Sequence, residues 1–305
     1  MLPGASIREA LLKRATVSSV YAIMVTFRRP SDAKATSAAL TEQSRSPDHV
    51  WVIDNDPSDE SASHFACLPK FTYLGQSANL GPAGGIAVGM TAVLASAEDD
   101  DWVLLVDDDD PPASADVIEH LLALSSGVRA SHLGGVALIG ARYNTRTGLV
   151  QRILDAELSG VVSADFFAGN QFPMYSVRAI RDAGVFDSSL FFGFEDLDLG
   201  LRLRSYGLRL QTIDTDHAVS DSSLNRTSWR EYFKTRALVV VCRRHLGPTA
   251  LVATVVRSLV GGSLLLLLRD RRPELAAARW RGALDGIRGR MGERGWAPSD
   301  NPSKT

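Results

Sequence analysis

The sequence predicts an α/β fold with a mostly parallel central sheet flanked by helices. Two observations lead there. Over roughly the first 125 residues, short apolar runs such as YAIMVTF, HVWVI and DWVLLVD alternate with longer, alanine-rich stretches of helical character. Strands joined by crossover helices make parallel sheets covered on both faces. The runs also end on polar residues: Asp54, Asn79 and Asp107 lie at the carboxyl ends of inferred strands or in the loops that leave them. That edge is where open α/β sheets bind ligands. An all-β reading fails, because the helical stretches are too long and too rich in alanine.

The elements follow in order. YAIMVTF, residues 21–27, is a buried strand halted at Arg28-Arg29-Pro30. SDAKATSAALTEQ then reads as a helix capped by Ser31 or Asp32. HVWVI, residues 49–53, opens into the polar turn Asp54-Asn55-Asp56-Pro57, and KFTYLG supplies a third strand. NLGPAGGIAVGMTAVLASAEDD is a glycine-rich turn running into a helix, and DWVLLVD is the next strand. PPASADVIEHLLALSS is a helix with prolines at its start, where a missing N–H costs least. GGVALIGARYN begins a strand and a less regular linker, and a further helix starts near Ser176. The aromatic loop LFFGF feeds a helix over 195–206 that Gly207 closes. QTIDTDHAVSD is a strand ending in a polar loop. Trp229 to His245 is helical and basic on one side, through Arg230, Lys234, Arg236, Arg243 and Arg244. This organisation divides the chain into an N-terminal extension, 1–19, an α/β domain, 20–248, and a helical, apolar-then-basic extension, 249–305.

Length and composition are consistent with this. The 305 residues, 45% apolar and 22% charged, suffice for a real core in one large domain or two modest ones. A net charge of -2 leaves no global footprint for nucleic acid. Cys67 and Cys242 carry no metal or redox spacing and read as reduced core thiols of a cytosolic protein. The start has no long apolar region followed by a cleavage signal, so it reads as mature protein facing the cytoplasm. Near the other end, Arg257 interrupts an apolar stretch and leaves 11 uncharged residues, 258–268, short for a transmembrane helix. Two readings stay open there: a helix packed on the domain, or one at the membrane surface whose arginines meet anionic head groups. Residues 291–305 read as a frayed end.

The strongest chemical signal is Asp107 to Asp110, four acids straight after a strand. Such a cluster is costly unless solvent, a cation or raised pKa values relieve it. Carboxylates at alternate positions of a turn can converge on a hard divalent cation, which in turn neutralises a diphosphate. A solvated acidic loop is the other reading. Magnesium or manganese suits oxygen ligands, and nothing resembles a zinc site. Asp54 and Asn55 can recognise a base or ribose, or simply form a turn. NLGPAGG can bring backbone close to a ligand, but lacks the ending of a P-loop and the spacing of a dinucleotide fingerprint. Glu195-Asp196 can offer a general base at a helix start; alternatively one of them caps the helix and Asp198 faces water. His217 is a metal ligand or a structural histidine. Phe191, Phe192 and Phe194 wall a binding site or fill the core.

Taken together, PDHVWVIDND, YLGQSANLGPAGG, DWVLLVDDDD and FFGFEDLDLGLRLRSYG resemble the inverting glycosyltransferases of family 2, with the GT-A nucleotide-diphospho-sugar transferase fold. They are most similar to actinobacterial galactofuranosyltransferases and related rhamnosyltransferases, over roughly residues 20–245. The resemblance implies that Thr26 lies near the nucleotide, that Asp54 contacts uracil or ribose, and that Asn79, Gly81, Gly84 and Gly85 lie beside the donor. It implies that Asp107 and Asp108 stand near the nucleotide sugar, and that Asp107, Asp109 and His217 hold Mn2+ or Mg2+. Asp196, next to Glu195, matches the general base. Trp229, Arg230, Tyr232 and Arg236 match a segment near donor phosphate or acceptor.

Two departures stand out. Ala237 replaces an asparagine that relatives often carry, and four aspartates leave Asp108 with Asp110 as an alternative metal pair, although the strand runs directly into 107. The expected donor is UDP-galactofuranose, with dTDP-rhamnose as the alternative. The expected acceptor is a cell-envelope glycan or a polyprenyl-diphosphate-linked one, and the expected place is the inner face of the cell membrane. A non-catalytic nucleotide-sugar-binding scaffold is the reading from a different class.

Overall fold

The computed structural model describes residues 18–126, 132–153, 162–167, 172–212 and 227–293. Strands β1 (Val20–Thr26), β2 (His49–Asp54), β3 (Phe71–Gly75) and β4 (Trp102–Asp107) are parallel. Helices α1 (Pro30–Thr41), α2 (Asp59–Ala66) and α3 (Gly81–Leu94) connect them, and α4 (Val117–Ser126) leads on to β5 (Leu133–Ala137). A hairpin, β6 (Ala141–Asn144) and β7 (Leu149–Arg152), stands apart from the main sheet. Beyond it come β8 (Val162–Ala164), β9 (Met174–Ser176), α5 (Val177–Ala183), α6 (Glu195–Ser205) and β10 (Arg209–Thr212). Among the described residues the main sheet has eight strands in the order β3-β2-β1-β4-β9-β5-β10-β8, with β9 inserted antiparallel between β4 and β5. The chain then turns helical: α7 (Ser228–His245), α8 (Pro248–Arg269) and α9 (Pro273–Ile287).

Period-two alternation builds the core. Ala22 and Met24 of β1 pack with residues of α1, α2 and α4, while Ile23 and Val25 face α3 on the other side. Met24, Ile53 and Leu104 are fully buried, and each such side chain contributes about 1.5–3 kcal/mol of transfer free energy. The glycines of α3 serve this packing. A Cβ on Gly85 would lie 2.6 Å from Val25 Cγ1, and one on Gly84 would lie 2.6 Å from Leu80 Cβ. Both were expected beside a donor; Gly85 brings helix and strand together, and Gly84 packs against the turn that starts its own helix.

Several elements differ from expectation. Neither Ser31 nor Asp32 caps α1: the helix begins at Pro30, with Arg29 at the cap position and no side-chain cap. The prolines at 111 and 112 precede α4 by several residues, because Gln43 ties down Ser114 and Ile118 and sets the start at Val117. Helix α2 was not expected; Ser58 starts it by accepting a hydrogen bond from Ser61 N at 3.2 Å. Cys67 is exposed rather than in the core, whereas Cys242 is buried. Helix α8 continues through Arg257, whose side chain leaves the helix to donate to the carbonyls of Thr147 and Gly148 at 3.2 and 2.9 Å. Residues 1–17, His217 and the chain from 294 onward lie outside the described residues.

Candidate active site

Parallel register brings the carboxyl ends of the first strands level, with Thr26 beside Asp54 and Val25 beside Asp107. Asp54 is buried. Its carboxylate accepts from the Tyr73 hydroxyl at 2.8 Å and from Asp56 N at 3.0 Å. Burial and that hydrogen bond keep the Tyr73 hydroxyl protonated well above its usual range. Asn55 is also buried, and it stitches β2 to the glycine-rich turn: Nδ2 donates to Gly81 O at 3.2 Å, and Oδ1 accepts from Leu80 N at 3.2 Å. Asn79 Oδ1 accepts from Gly81 N at 2.9 Å, so its carbonyl oxygen shapes the turn. Gly81 has φ +68°, and a Cβ there would meet Phe191 O at 2.3 Å. Only glycine fits that contact.

The aspartates that end β4 divide into two sets. Asp107 and Asp109 are open to solvent, whereas Asp108 turns inward and is buried. Thr26, itself buried, donates Oγ1 to Asp108 Oδ2 at 2.7 Å, and Thr36 Oγ1 donates to Asp108 O at 2.8 Å. Thr26 and Asp108 therefore form a buried pair behind the open surface. Arg29 Nη1 lies 3.3 Å from Asp108 Oδ1 and also pairs with Asp109. Protein surrounds Asp107 on most sides although its side chain touches solvent. Burial first, then the charges of Asp109, Asp108 and Asp110, push its pKa up to about 7, with Arg29 opposing. Burial likewise raises Asp108 and Asp110.

The Glu195-Asp196 pair opens α6 after a strained loop. Phe191, Gly193 and Phe194 have φ of 67°, 87° and 63°; left-handed backbone at a phenylalanine costs on the order of 1–3 kcal/mol. Surrounding contacts hold it in place. Phe191 O accepts from Ala83 N at 3.3 Å, the Phe191 and Phe233 rings are 4.4 Å apart, and Phe192 meets Trp229 edge-on at 4.9 Å. Burial raises the pKa of both acids. Asp196 is helped to ionise by its hydrogen bond from Leu197 N, 2.7 Å, and by the Lys234 charge, whereas the charges of Asp196 and Asp107 push Glu195 further up. Asp196 is thus the member that gives up its proton first. Glu195 Oε2 and the Tyr175 hydroxyl are both buried without a hydrogen-bond partner among the described residues, and both carboxylates act on Tyr175. Asp198 does not face water. It is 1% exposed and meets Arg202 Nε at 2.9 Å, His245 Nε2 at 3.0 Å and Arg244 Nη1 at 3.3 Å.

Helix α7 completes the wall. The Arg230 guanidinium stacks over Trp229 and Phe192, at 5.4 and 5.8 Å, and Lys234 Nζ lies 5.7 Å from the Phe192 ring. Burial first, then the charge of Arg29, lowers the Arg230 pKa, with Asp109 opposing; these side chains share one electrostatic neighbourhood. Tyr232 and Arg236 are elsewhere. Both are fully buried: the Tyr232 hydroxyl donates to Asp285 Oδ2 at 2.8 Å, and Arg236 donates to Leu190 O at 3.3 Å with its guanidinium over Phe233 at 4.7 Å. They pack α7 on α9 and on the loop before α6, so neither is open to donor or acceptor. Phe191 is core, while Phe192 and Phe194 are half-buried.

Among the described residues no group of three or more His, Cys, Asp or Glu side chains converges on one point. The open oxygen donors of Asp107 and Asp109 nonetheless fit a hard divalent cation, which would relieve the repulsion recorded in the raised Asp107 pKa. Sequence reasoning missed Arg29, Lys234 and Tyr175. Arg29 was read as a strand stop, yet a cation straight after β1 stands level with acids straight after β4; Lys234 lies one helical turn from Arg230.

The chain is similar to known proteins. Residues 21–127 match the model of glycosyl transferase family 2. Galactofuranosyltransferase GlfT1 of Mycobacterium tuberculosis is 34% identical over 209 residues, 64% of this chain and 67% of the relative. The dTDP-rhamnosyl transferase RfbF of Shigella flexneri is 23% identical over 304 residues, covering 90% of this chain and 97% of the relative. Among solved structures, mannosyltransferase PcManGT from Pyrobaculum calidifontis, in complex with GDP-Man and Mn2+, superposes with a TM-score of 0.56 at 15% identity. It covers 94% of this chain and 97% of that one.

Proposed function

The chain belongs to glycosyl transferase family 2 and has the GT-A fold, and from that premise we propose that it is an inverting, metal-dependent galactofuranosyltransferase. The observation that carries the catalytic part is the half-buried Glu195-Asp196 pair, with a buried Glu195 oxygen that has no hydrogen-bond partner among the described residues, set where the Asp107 charge reaches it. Asp196 takes the proton of an acceptor hydroxyl. The acceptor oxygen then forms its bond to the anomeric carbon from the face opposite the diphosphate, the bond to the diphosphate oxygen breaks, and the configuration inverts. Glu195, pushed up by burial and by the charges of Asp196 and Asp107, keeps its proton and donates a hydrogen bond into the site.

Arg29, Arg230 and Lys234 supply positive charge for the donor diphosphate, and Phe192 with Trp229 walls the acceptor side. Asp107 and Asp109, with His217, would hold Mn2+ or Mg2+; when bound, the ion offsets the charge of the departing diphosphate. Asp54 and Asn79 remain at the sheet edge where the nucleoside would lie.

The donor reading, UDP-galactofuranose, draws its support from the 34% identity to GlfT1. RfbF, similar over 90% of this chain, supports dTDP-rhamnose as the second reading. The acceptor is a cell-envelope glycan or polyprenyl-linked sugar, met at the cytoplasmic face of the membrane. The test supplies each donor with manganese or with EDTA, adds an envelope lipid extract, and follows products by mass spectrometry. Manganese-dependent addition of a hexose supports the first reading, and addition of a deoxyhexose replaces it with the second. Donor binding that is unaffected by manganese removes the metal from the mechanism.

A further inference from the structure

Helix α8 is unusual in what it leaves uncovered. Over its 22 residues the mean hydropathy reaches 2.1, yet only 22% of the apolar stretch is buried. Ala250, Thr254, Leu259, Ser263 and Leu266 face the protein. Val252, Val256, Val260, Leu264, Leu267 and Leu268 form an exposed row on the rest, from 44% to 76% exposed. Helix α9 adds Trp280, Leu284 and Ile287, one helical turn apart and each at least 44% exposed. An exposed apolar row of this length on a folded chain marks a partner.

Charge and tethering identify the partner and its orientation. Residues 248–293 carry eight arginines against four acids, with Arg269, Arg271 and Arg272 clustered directly after Leu268, which matches an anionic lipid surface. At about 33 Å the helix is long enough to cross a bilayer core, so length alone does not set its orientation. Its middle does. Arg257 donates to Thr147 O and Gly148 O of the β6–β7 hairpin, and Ser258 O accepts from Arg279 Nη1 at 2.8 Å. Arg279 in turn pairs with Glu231 of α7 at 2.9 Å. A crossing helix would carry these charges and an open hairpin to the bilayer midplane, where neither is tolerated.

We propose that α8 and α9 form a lipid-embedding platform: α8 lies in the plane of an anionic membrane with its exposed apolar row among the acyl chains, and Trp280 sits at the interface. The inference deepens the proposed function, resting on its lipid-linked acceptor for purpose only. Vesicle binding is read without any sugar donor, so failure of the transferase reading would leave the measurement intact.

The experiment floats the full chain with vesicles of equal parts phosphatidylcholine and phosphatidylglycerol, and with phosphatidylcholine alone. Binding to the mixed vesicles is expected, with the L264E/L268E variant weakened by about tenfold or more. Single cysteines V252C, V260C and L268C, each in a C67S background, then carry a fluorophore quenched by nitroxide lipids. An in-plane helix gives all three the same shallow depth. A position 260 deeper than 252 and 268 means a crossing helix and overturns the proposal. Absence of flotation, unchanged flotation of L264E/L268E, or self-association of the chain in place of vesicle binding would also overturn it.

Discussion

Asp198 offers a test of how the base is held in place. Its carboxylate is 1% exposed and bonded to Arg202, Arg244 and His245. Arg202 also donates to the Val185 carbonyl at 2.9 Å, and Arg244 pairs with Asp187 at 2.6 Å. One buried acid thus ties the first turn of α6, which carries Glu195 and Asp196, to the preceding loop and to the end of α7. Removing one partner of a buried ion cluster costs about 3–5 kcal/mol. Asp198→Asn keeps the shape and one acceptor oxygen, so a loss near the lower end, about 3 kcal/mol, is expected at neutral pH. Burial opposes ionisation of Asp198, but His245 and the two arginines outweigh it and hold its pKa below the ordinary carboxylate value. Its stabilisation is therefore complete above the unfolded pKa of about 4 and disappears as pH falls through the lower folded value. Urea unfolding of parent and variant at neutral and acid pH is the assay. A difference below about 1 kcal/mol at neutral pH, or one that does not shrink towards acid, would refute the reasoning.

Other outcomes follow from the same geometry. Asp196→Asn should reduce transfer by about a hundredfold or more while nucleotide affinity stays intact; in the parent, the acid limb of the rate profile should lie above the ordinary carboxylate range, because burial raises Asp196 and a base must be ionised. Asp109→Ala should lose manganese-dependent donor binding in calorimetry, and unchanged manganese affinity would remove Asp109 from the metal site. Tyr232→Phe should cost about 1–3 kcal/mol in unfolding experiments through its hydrogen bond to Asp285. The donor KM should not move; a rise would return Tyr232 to the donor site.

The sequence by itself determined the layered α/β architecture and the edge at which the chemistry collects. Both come from local patterns: alternation along β1 and β4, helical stretches between them, and acids placed directly after the apolar runs. The open side that Asp107 and Asp109 share was legible for the same reason, since alternation beyond a strand end turns every second side chain the same way.

Only the tertiary structure decided which groups stay open. Thr26 and Asp108 are 82 positions apart, and nothing local says that one binds the other. Arg29 reaches Asp109 only because β1 and β4 are neighbours in the sheet. Tyr232 and Arg236 share a basic, aromatic segment with Trp229 and Arg230, but α9 covers their side of α7 and turns them into packing residues. The alternative in which Asp198 faces water was open because its partners on α7 lie 46 and 47 positions further along the chain. A residue's type and spacing set what it can do, whereas the segments folded against it determine its solvation, and solvation decides whether a charge is a ligand, a base or a structural tie.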